Sequence, residues 1–197
     1  MKHILIIDHT SGLGGAEYSL ESLVKGMDSN QYHYTVALPG PGPFADRLKA
    51  LGLTVDYLRM DGWRWWVRTL KQRINFFVTL PFQFVSLFRW IRYMKKVKPD
   101  IVHFNINRLV EPVVAAKFLK IPSVMHFRDI PSRIDQQFMS GMRGFYLLMN
   151  MADAWIANSK ATYVDIKNKC NVRTFEVPNG VDMSVYAHFT GNIKIKP

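Results

Sequence analysis

Ile4-Leu5-Ile6-Ile7-Asp8-His9-Thr10-Ser11-Gly12-Leu13-Gly14-Gly15-Ala16-Glu17 decides the fold of this chain. Its apolar run has no polar alternation, which reads as a strand buried on both faces, within a parallel sheet covered by helices. The glycines that follow let backbone N–H groups approach a ligand with no Cβ in the way. Tyr18, Leu20, Leu23, Val24 and Met27 then recur at helical spacing, which predicts a helix over 15–27. The glycines therefore stand at a helix N-terminus, where free amides and the macrodipole favour a phosphate or another anion.

A dinucleotide fold is the first alternative, and it fails. The fingerprint needs a third glycine where Glu17 stands, and an acidic residue at the end of the second strand. That strand, 33–38, runs instead into Pro39-Gly40-Pro41-Gly42-Pro43.

Working outward, apolar strand segments recur at 3–8, 33–38, 54–58, 100–105, 122–126, 154–157 and 174–177. Helical segments fall between them at 15–27, 43–51, 63–80, 82–97, 111–119, 138–151 and 159–168. Gly52 is a helix terminator, and Lys98-Pro99-Asp100 closes a helix before the next strand. This alternation predicts a Rossmann-like, doubly wound α/β domain with a mostly parallel sheet of about seven strands. Ligands of such sheets bind beyond the carboxyl ends of the strands. The polar residues at those ends are Asn105, Asn107, Arg108, His126, Arg128, Asp129, Asn158 and Ser159.

The 197 residues suffice for one full α/β core. Cys170 is the only cysteine, so no disulfide framework exists and a reduced, cytosolic setting is expected. Asp8 precedes any adequate hydrophobic segment, so no signal peptide is expected. The six histidines show no shared ligand spacing, and no metal or other cofactor is expected. The lone cysteine has no base near it in sequence, and no Gly-x-Ser-x-Gly elbow is present, so nucleophilic and hydrolase chemistry find no support.

The motifs Gly14-Gly15-Ala16-Glu17, Lys98-Pro99-Asp100-Ile101-Val102-His103, Val124-Met125-His126-Phe127-Arg128-Asp129, Ala157-Asn158-Ser159 and Val177-Pro178-Asn179-Gly180-Val181-Asp182 occur in that order. Together they resemble the N-terminal domain of family-4 glycosyltransferases, retaining enzymes of the GT-B fold. The resemblance implies sugar transfer from a nucleotide-sugar donor to an acceptor, a polysaccharide or a lipid-linked glycan, in a cleft between two Rossmann-like domains. It places Gly14 and Gly15 at the donor diphosphate and His126 beside the transferred sugar. An imidazole there would bond a sugar hydroxyl or stabilise developing charge. Glu17, Asn105, Arg128, Asp129, Asn158 and Ser159 are candidates for holding acceptor or sugar. Plainer roles compete for some of them: Ser159 as a helix N-cap, Glu17 as a first-turn acid favoured by the dipole, Arg128 and Asp129 as a pair with each other. His103, inside an apolar run, reads as a satisfied core histidine.

The resemblance covers 1–182; residues 183–197 read as the start of an interdomain linker. In the family a second, nucleotide-binding domain follows the segment ending at Asp182, whereas here fifteen residues follow it, none acidic. The chain is therefore expected to need a missing C-terminal domain and to transfer negligible sugar alone. An alternative is a non-catalytic, membrane-associated partner subunit of a split glycosyltransferase.

A second informative region spans 63–97. The formal charge of +11 is concentrated here: from Gly62 to Pro99 there are nine Lys or Arg residues and no acid. Trp63, Trp66, Leu70, Ile74 and Phe77 share one helical face, with Arg64, Arg68, Lys71 and Asn75 on another. A transmembrane reading is poor, because residues 74–88 would cover about 22 Å of a core of roughly 30 Å. The segment 63–80 is instead expected to lie on an anionic membrane surface, through Trp63, Arg64, Trp66, Arg68 and Lys71, which implies a peripheral location at the inner, cytoplasmic face. Residues 82–97 are expected to pack on the sheet, with Arg89, Arg92, Lys95 and Lys96 in solvent. Nine cations among ten aromatics also suit single-stranded nucleic acid, but the ordered motif set argues against it, and no nucleic-acid partner is expected.

Overall fold

The computed structural model describes residues 1–60, 66–67, 69–133 and 137–180. Seven strands form one all-parallel sheet: β1 (Lys2–Ile7), β2 (Tyr32–Leu38), β3 (Thr54–Tyr57), β5 (Ile101–Phe104), β6 (Ser123–Phe127), β8 (Ala154–Ala157) and β9 (Arg173–Glu176). Their spatial order is β3-β2-β1-β5-β6-β8-β9. The order reverses between β1 and β5, which makes that junction the switch point where such sheets open a crevice. Every apolar run identified in the sequence is a strand, with boundaries moved by one residue at most.

Side-chain alternation divides the core in two. Ile4, Ile6, Val36 and Leu38 point to one face, under α1 (Gly15–Gly26) and α2 (Pro43–Ala50), where Leu20, Phe44 and Leu48 are fully buried. Leu5, Ile7, Phe104, Met125, Phe127 and Trp155 point to the other. Those six lie under α4 (Leu80–Val97), α5 (Glu111–Phe118), α6 (Gly141–Met149) and α7 (Lys160–Ile166). The chain leaves α2 through Gly52 at φ +79° and α4 through Lys98 at φ 51°, left-handed positions that stop each helix where expected.

Two expectations are corrected. The helix drawn over 63–80 starts only at α3 (Leu70–Val78). Thr69 caps it in a reciprocal box, its Oγ1 accepting from Gln72 N at 3.2 Å while Gln72 Oε1 accepts from Thr69 N at 3.1 Å. Trp66 and Val67 form β4 (Trp66–Val67), antiparallel to β7 (Gln137–Phe138), so Trp66 shares no helical face with Leu70. Trp63, Arg64 and Arg68 lie outside the described residues, and Lys71 is exposed on α3. The helix drawn over 138–151 likewise loses its first turn. Phe138 belongs to β7, where its ring packs edge-on to Phe145 at 5.3 Å.

The second helix of the basic segment also differs from expectation. The C-terminal half of α4 packs on the sheet through Trp90 and Met94, with Arg92, Lys95 and Lys96 exposed as foreseen, whereas Arg89 is half-buried and donates to Arg59 O at 3.3 Å. Its N-terminal half does not: Phe82, Phe84, Val85 and Phe88 are all more than half exposed.

Candidate functional site

The switch point gathers the ends of β1, β5, β6 and β8. Asp8, directly after β1, is fully buried because its amide continues the ladder to Ala37 O at 3.1 Å. Asn105, after β5, does the same toward Ile7 O at 3.0 Å. These backbone bonds face the two side chains together, and Asn105 Nδ2 donates to Asp8 Oδ2. The amide is oriented by that bond, so Oδ1 points to Arg128, which donates from Nη2 at 2.7 Å and from Nε at 3.2 Å. Arg128 Nη1 reaches on to Ser19 Oγ at 2.7 Å and Asn179 Oδ1 at 2.9 Å. One guanidinium thus ties together the ends of two central strands, helix α1 and the Val177-Pro178-Asn179 segment. Burial lowers its pKa to about 10, against the pull of Asp8 and Glu17.

The glycines read as an anion site stand at the start of α1. Gly14 is the N-cap of α1 with no side-chain cap, and Gly15 opens the helix exposed. A Cβ on Gly15 would meet nothing within 4 Å. The turn is held from behind by the Pro39–Pro43 loop. Phe44 N donates to Ser11 O at 3.1 Å, and a Cβ on Gly42 would come within 2.5 Å of that same oxygen. Gly42 is therefore a close-approach glycine that the sequence did not single out.

Of the two roles open to Glu17, its position suits the plainer one. Its side chain is buried and folds back, so a Cβ on Gly14 would stand 2.7 Å from Glu17 Oε2. Burial raises its pKa and Asp8 adds to the rise, while the backbone amides of Glu17 and Gly14 oppose it. The side chain thus serves the first turn of its own helix rather than reaching outward. Asp8, His9 and Glu17 bring one ligand atom each within 4.8 Å of one another, a spacing open to a cation. His9 Nδ1 lies 3.1 Å from Asp8 Oδ1, and Asp8 is joined through Asn105 to Arg128, so a cation of the chain already sits beside these acids.

His126, expected at the end of its strand, is the penultimate residue of β6 and only 5 % exposed. It stacks on His103 of β5, also buried, at 5.6 Å between centroids and 16° between planes. Neither His126 nitrogen, nor His103 Nε2, has a hydrogen-bond partner among the described residues, so His103 is a core histidine but not a satisfied one. Burial, then Arg128, then His103 lower the His126 pKa to about 2; burial and Arg128 lower that of His103 to about 4, against Asp8. Both rings are neutral at pH 7. A neutral imidazole donates one hydrogen bond and accepts another; it supplies no positive charge.

The remaining candidates are held by the scaffold. Arg128 and Asp129 do not pair with each other: Asp129 Oδ2 takes Arg108 Nη2 at 3.2 Å. Asn158 donates to Arg128 O at 3.0 Å and accepts from Thr162 Oγ1 at 2.9 Å, which fixes the Arg128 backbone from the β8 side. Ser159 is the N-cap of α7, accepting from Thr162 N at 3.2 Å. Asn107 is fully buried with neither amide atom partnered among the described residues. Asp8, Ser19 and Asn179 were missed as site residues; the signal for Asp8 was an acid placed directly after a doubly buried strand.

Residues 13–185 match the model of Glycosyltransferase Family 4. No curated protein sequence is matched. Among solved structures, Anabaena HepE in complex with UDP and glucose is similar at a TM-score of 0.67 and 22% identity, covering 94% of this chain and 46% of that one. The lipopolysaccharide outer core galactosyltransferase WaaB in its apo form follows at 0.61 and 13%, covering 93% and 47%. Acinetobacter baumannii MurG gives 0.56 and 18%, covering 82% and 42%. The chain thus spans less than half the length of each. With its ordered motifs, all-parallel Rossmann-like sheet and family match, this chain belongs to glycosyltransferase family 4, as an N-terminal domain of the GT-B fold.

Proposed function

We propose that this domain forms the acceptor side of a retaining glycosyltransferase and supplies one wall of its donor diphosphate site. The observation that carries the reading is the open α1 N-terminus: an uncapped Gly14 and an exposed Gly15 whose Cα faces empty space at the switch point. Amides there stabilise a diphosphate leaving group without a metal, because dipole and N–H donors are preorganised. HepE was solved with UDP-glucose, which supports a nucleotide-diphosphate sugar as donor. A second, C-terminal domain would read the nucleotide, and without it this chain should turn over negligible sugar.

In this reading His126 acts as a neutral hydrogen-bonding group toward a hydroxyl of the transferred sugar, both ring nitrogens being without a partner among the described residues. Arg128 positions: it fixes the β5 and β6 ends and the entry to α1. The acceptor is a glycan, lipid-linked or polymeric. The test compares the isolated chain with the complete two-domain enzyme, using radiolabelled nucleotide-sugar and anomer-resolved product analysis. Transfer with retention by the complete enzyme only, falling about tenfold or more in Gly15→Val at unchanged melting temperature, is expected. Turnover by the chain alone, or an unaltered Gly15→Val rate, would overturn the proposal.

A further inference from the structure

The outer limb of the domain carries its polarity inside out. Ile74 and Phe77 on α3, with Phe82, Phe84, Val85 and Phe88 on α4, are each more than half exposed. Beneath them on α4, Gln83 and Ser86 are 5 % and 0 % exposed. Gln83 Nε2 and Oε1 and Ser86 Oγ have no hydrogen-bond partner among the described residues. Burying unpartnered amide and hydroxyl groups while large apolar groups face outward is doubly unfavourable in water.

Rotation of the helix cannot relieve this. Gln83, Ser86, Trp90 and Met94 stand at i, i+3, i+7 and i+11 on one side, and Trp90 and Met94 are locked in the core. The outward stripe is therefore fixed, and along it the chemistry changes. Phe84, Val85 and Phe88 lead into Arg92, Lys95 and Lys96 at i+8, i+11 and i+12, all exposed. An apolar end and a cationic end on one stripe match a helix dipping from headgroups into acyl chains. Residues 81–88 advance on the order of 10 Å along the axis, the depth of an interfacial helix. With no acid between Gly62 and Pro99, nothing on this limb repels an anionic surface.

Among the described residues no single helix is long and apolar enough to cross a membrane, and α3 and α4 meet at a 63° bend. The inner side of α4 is bound to the domain, so the limb lies on one leaflet. We propose that the α3–α4 elbow is a monotopic anchor that inserts Phe82, Phe84, Val85 and Phe88 into one leaflet of an anionic membrane, with Arg92, Lys95 and Lys96 at its headgroups. This anchor does not depend on the sugar-transfer reading.

Flotation of the full chain with phosphatidylcholine vesicles, with and without phosphatidylglycerol, tests it. The chain should float with anionic vesicles. Phe84→Glu/Phe88→Glu should lower partitioning at least tenfold with an unchanged circular dichroism spectrum. Arg92→Ser/Lys95→Ser/Lys96→Ser should lose only the anionic preference. A bimane on Val85→Cys, in a Cys170→Ser background, should shift to the blue on anionic vesicles and be quenched by lipid-borne quenchers. No flotation, equal flotation of the Phe84/Phe88 variant, a bimane that stays in water on bound vesicles, or a lipid-free dimer that this variant dissolves would each overturn the anchor.

Discussion

His103 and His126 stack face to face on neighbouring strands, 5.6 Å between centroids, with three of their four ring nitrogens unpartnered among the described residues. Both pKa values are depressed, to about 4 and about 2, chiefly by burial. In the unfolded chain both titrate near 6.5. Below that pH the unfolded state binds protons that the folded state refuses, so stability falls as pH drops from 7. The His103 share is complete near pH 4, and the His126 share continues toward pH 2. His103→Phe should flatten the wild-type slope by about 1.4 kcal/mol per pH unit between pH 6 and 4. Urea denaturation at stepped pH measures it, and an unchanged slope would contradict the assignment.

Arg128→Gln should destabilise the fold by about 2–3 kcal/mol, because it removes the buried guanidinium whose charge balances buried Asp8. The Asn105 carbonyl and Ser19 hydroxyl lose their donor at the same time. Asp8→Asn in the same background should recover part of the loss, and a double-mutant cycle reads the coupling.

Glu21 accepts from Arg47 at 2.7 and 3.0 Å and from Lys25 at 2.8 Å, joining α1 to α2. The Arg47 hydrogen bonds are the main reason its pKa sits at about 2. The stability it contributes is present above the unfolded carboxylate value and is lost as pH falls from about 5 toward 2. Arg47 is nearly half exposed, so Glu21→Gln should cost only about 1 kcal/mol at pH 7 and nothing at pH 2. Thermal melts at the two pH values decide this.

Glu17 shares the amide end of α1 with whatever anion binds there. Glu17→Gln should tighten inhibition by free nucleoside diphosphate about two- to fivefold in the complete enzyme, as expected for removing a like charge at a helix N-terminus. Weaker inhibition would instead make Glu17 a ligand of the donor.

Lys120 follows α5 at φ 57°, a left-handed position that glycine occupies without strain. Lys120→Gly should stabilise the domain by about 0.5–1 kcal/mol. Its melting temperature would show the gain.

The strands were legible because doubly buried strands are largely apolar, without interruption at 4–7 and with only His103 breaking the run at 101–104. The β4–β7 pair was not, since two residues on each side carry no period and the two strands lie about seventy residues apart in the chain. The exposed half of α4 was hidden for a related reason. Its apolar stripe looked like a core face, but Trp90 and Met94 further along decide which side turns inward. The glycine turn could be read locally; the Arg128 network could not, because its partners lie 23, 51 and 109 residues away. His126 was recognisable by its motif, whereas its stacked partner and neutral state depend on the pairing of β5 with β6.

The short ladder between Trp66–Val67 and Gln137–Phe138 stitches the stretch entering α3 to the stretch leaving the Arg128 loop. Two rungs close a circuit of about seventy residues of chain, and fix the heading of one limb against the other. Were the elbow to settle on a lipid sheet, the mouth of the proposed sugar site would take a set bearing to that sheet. An acceptor carried in the bilayer would then arrive from one direction only.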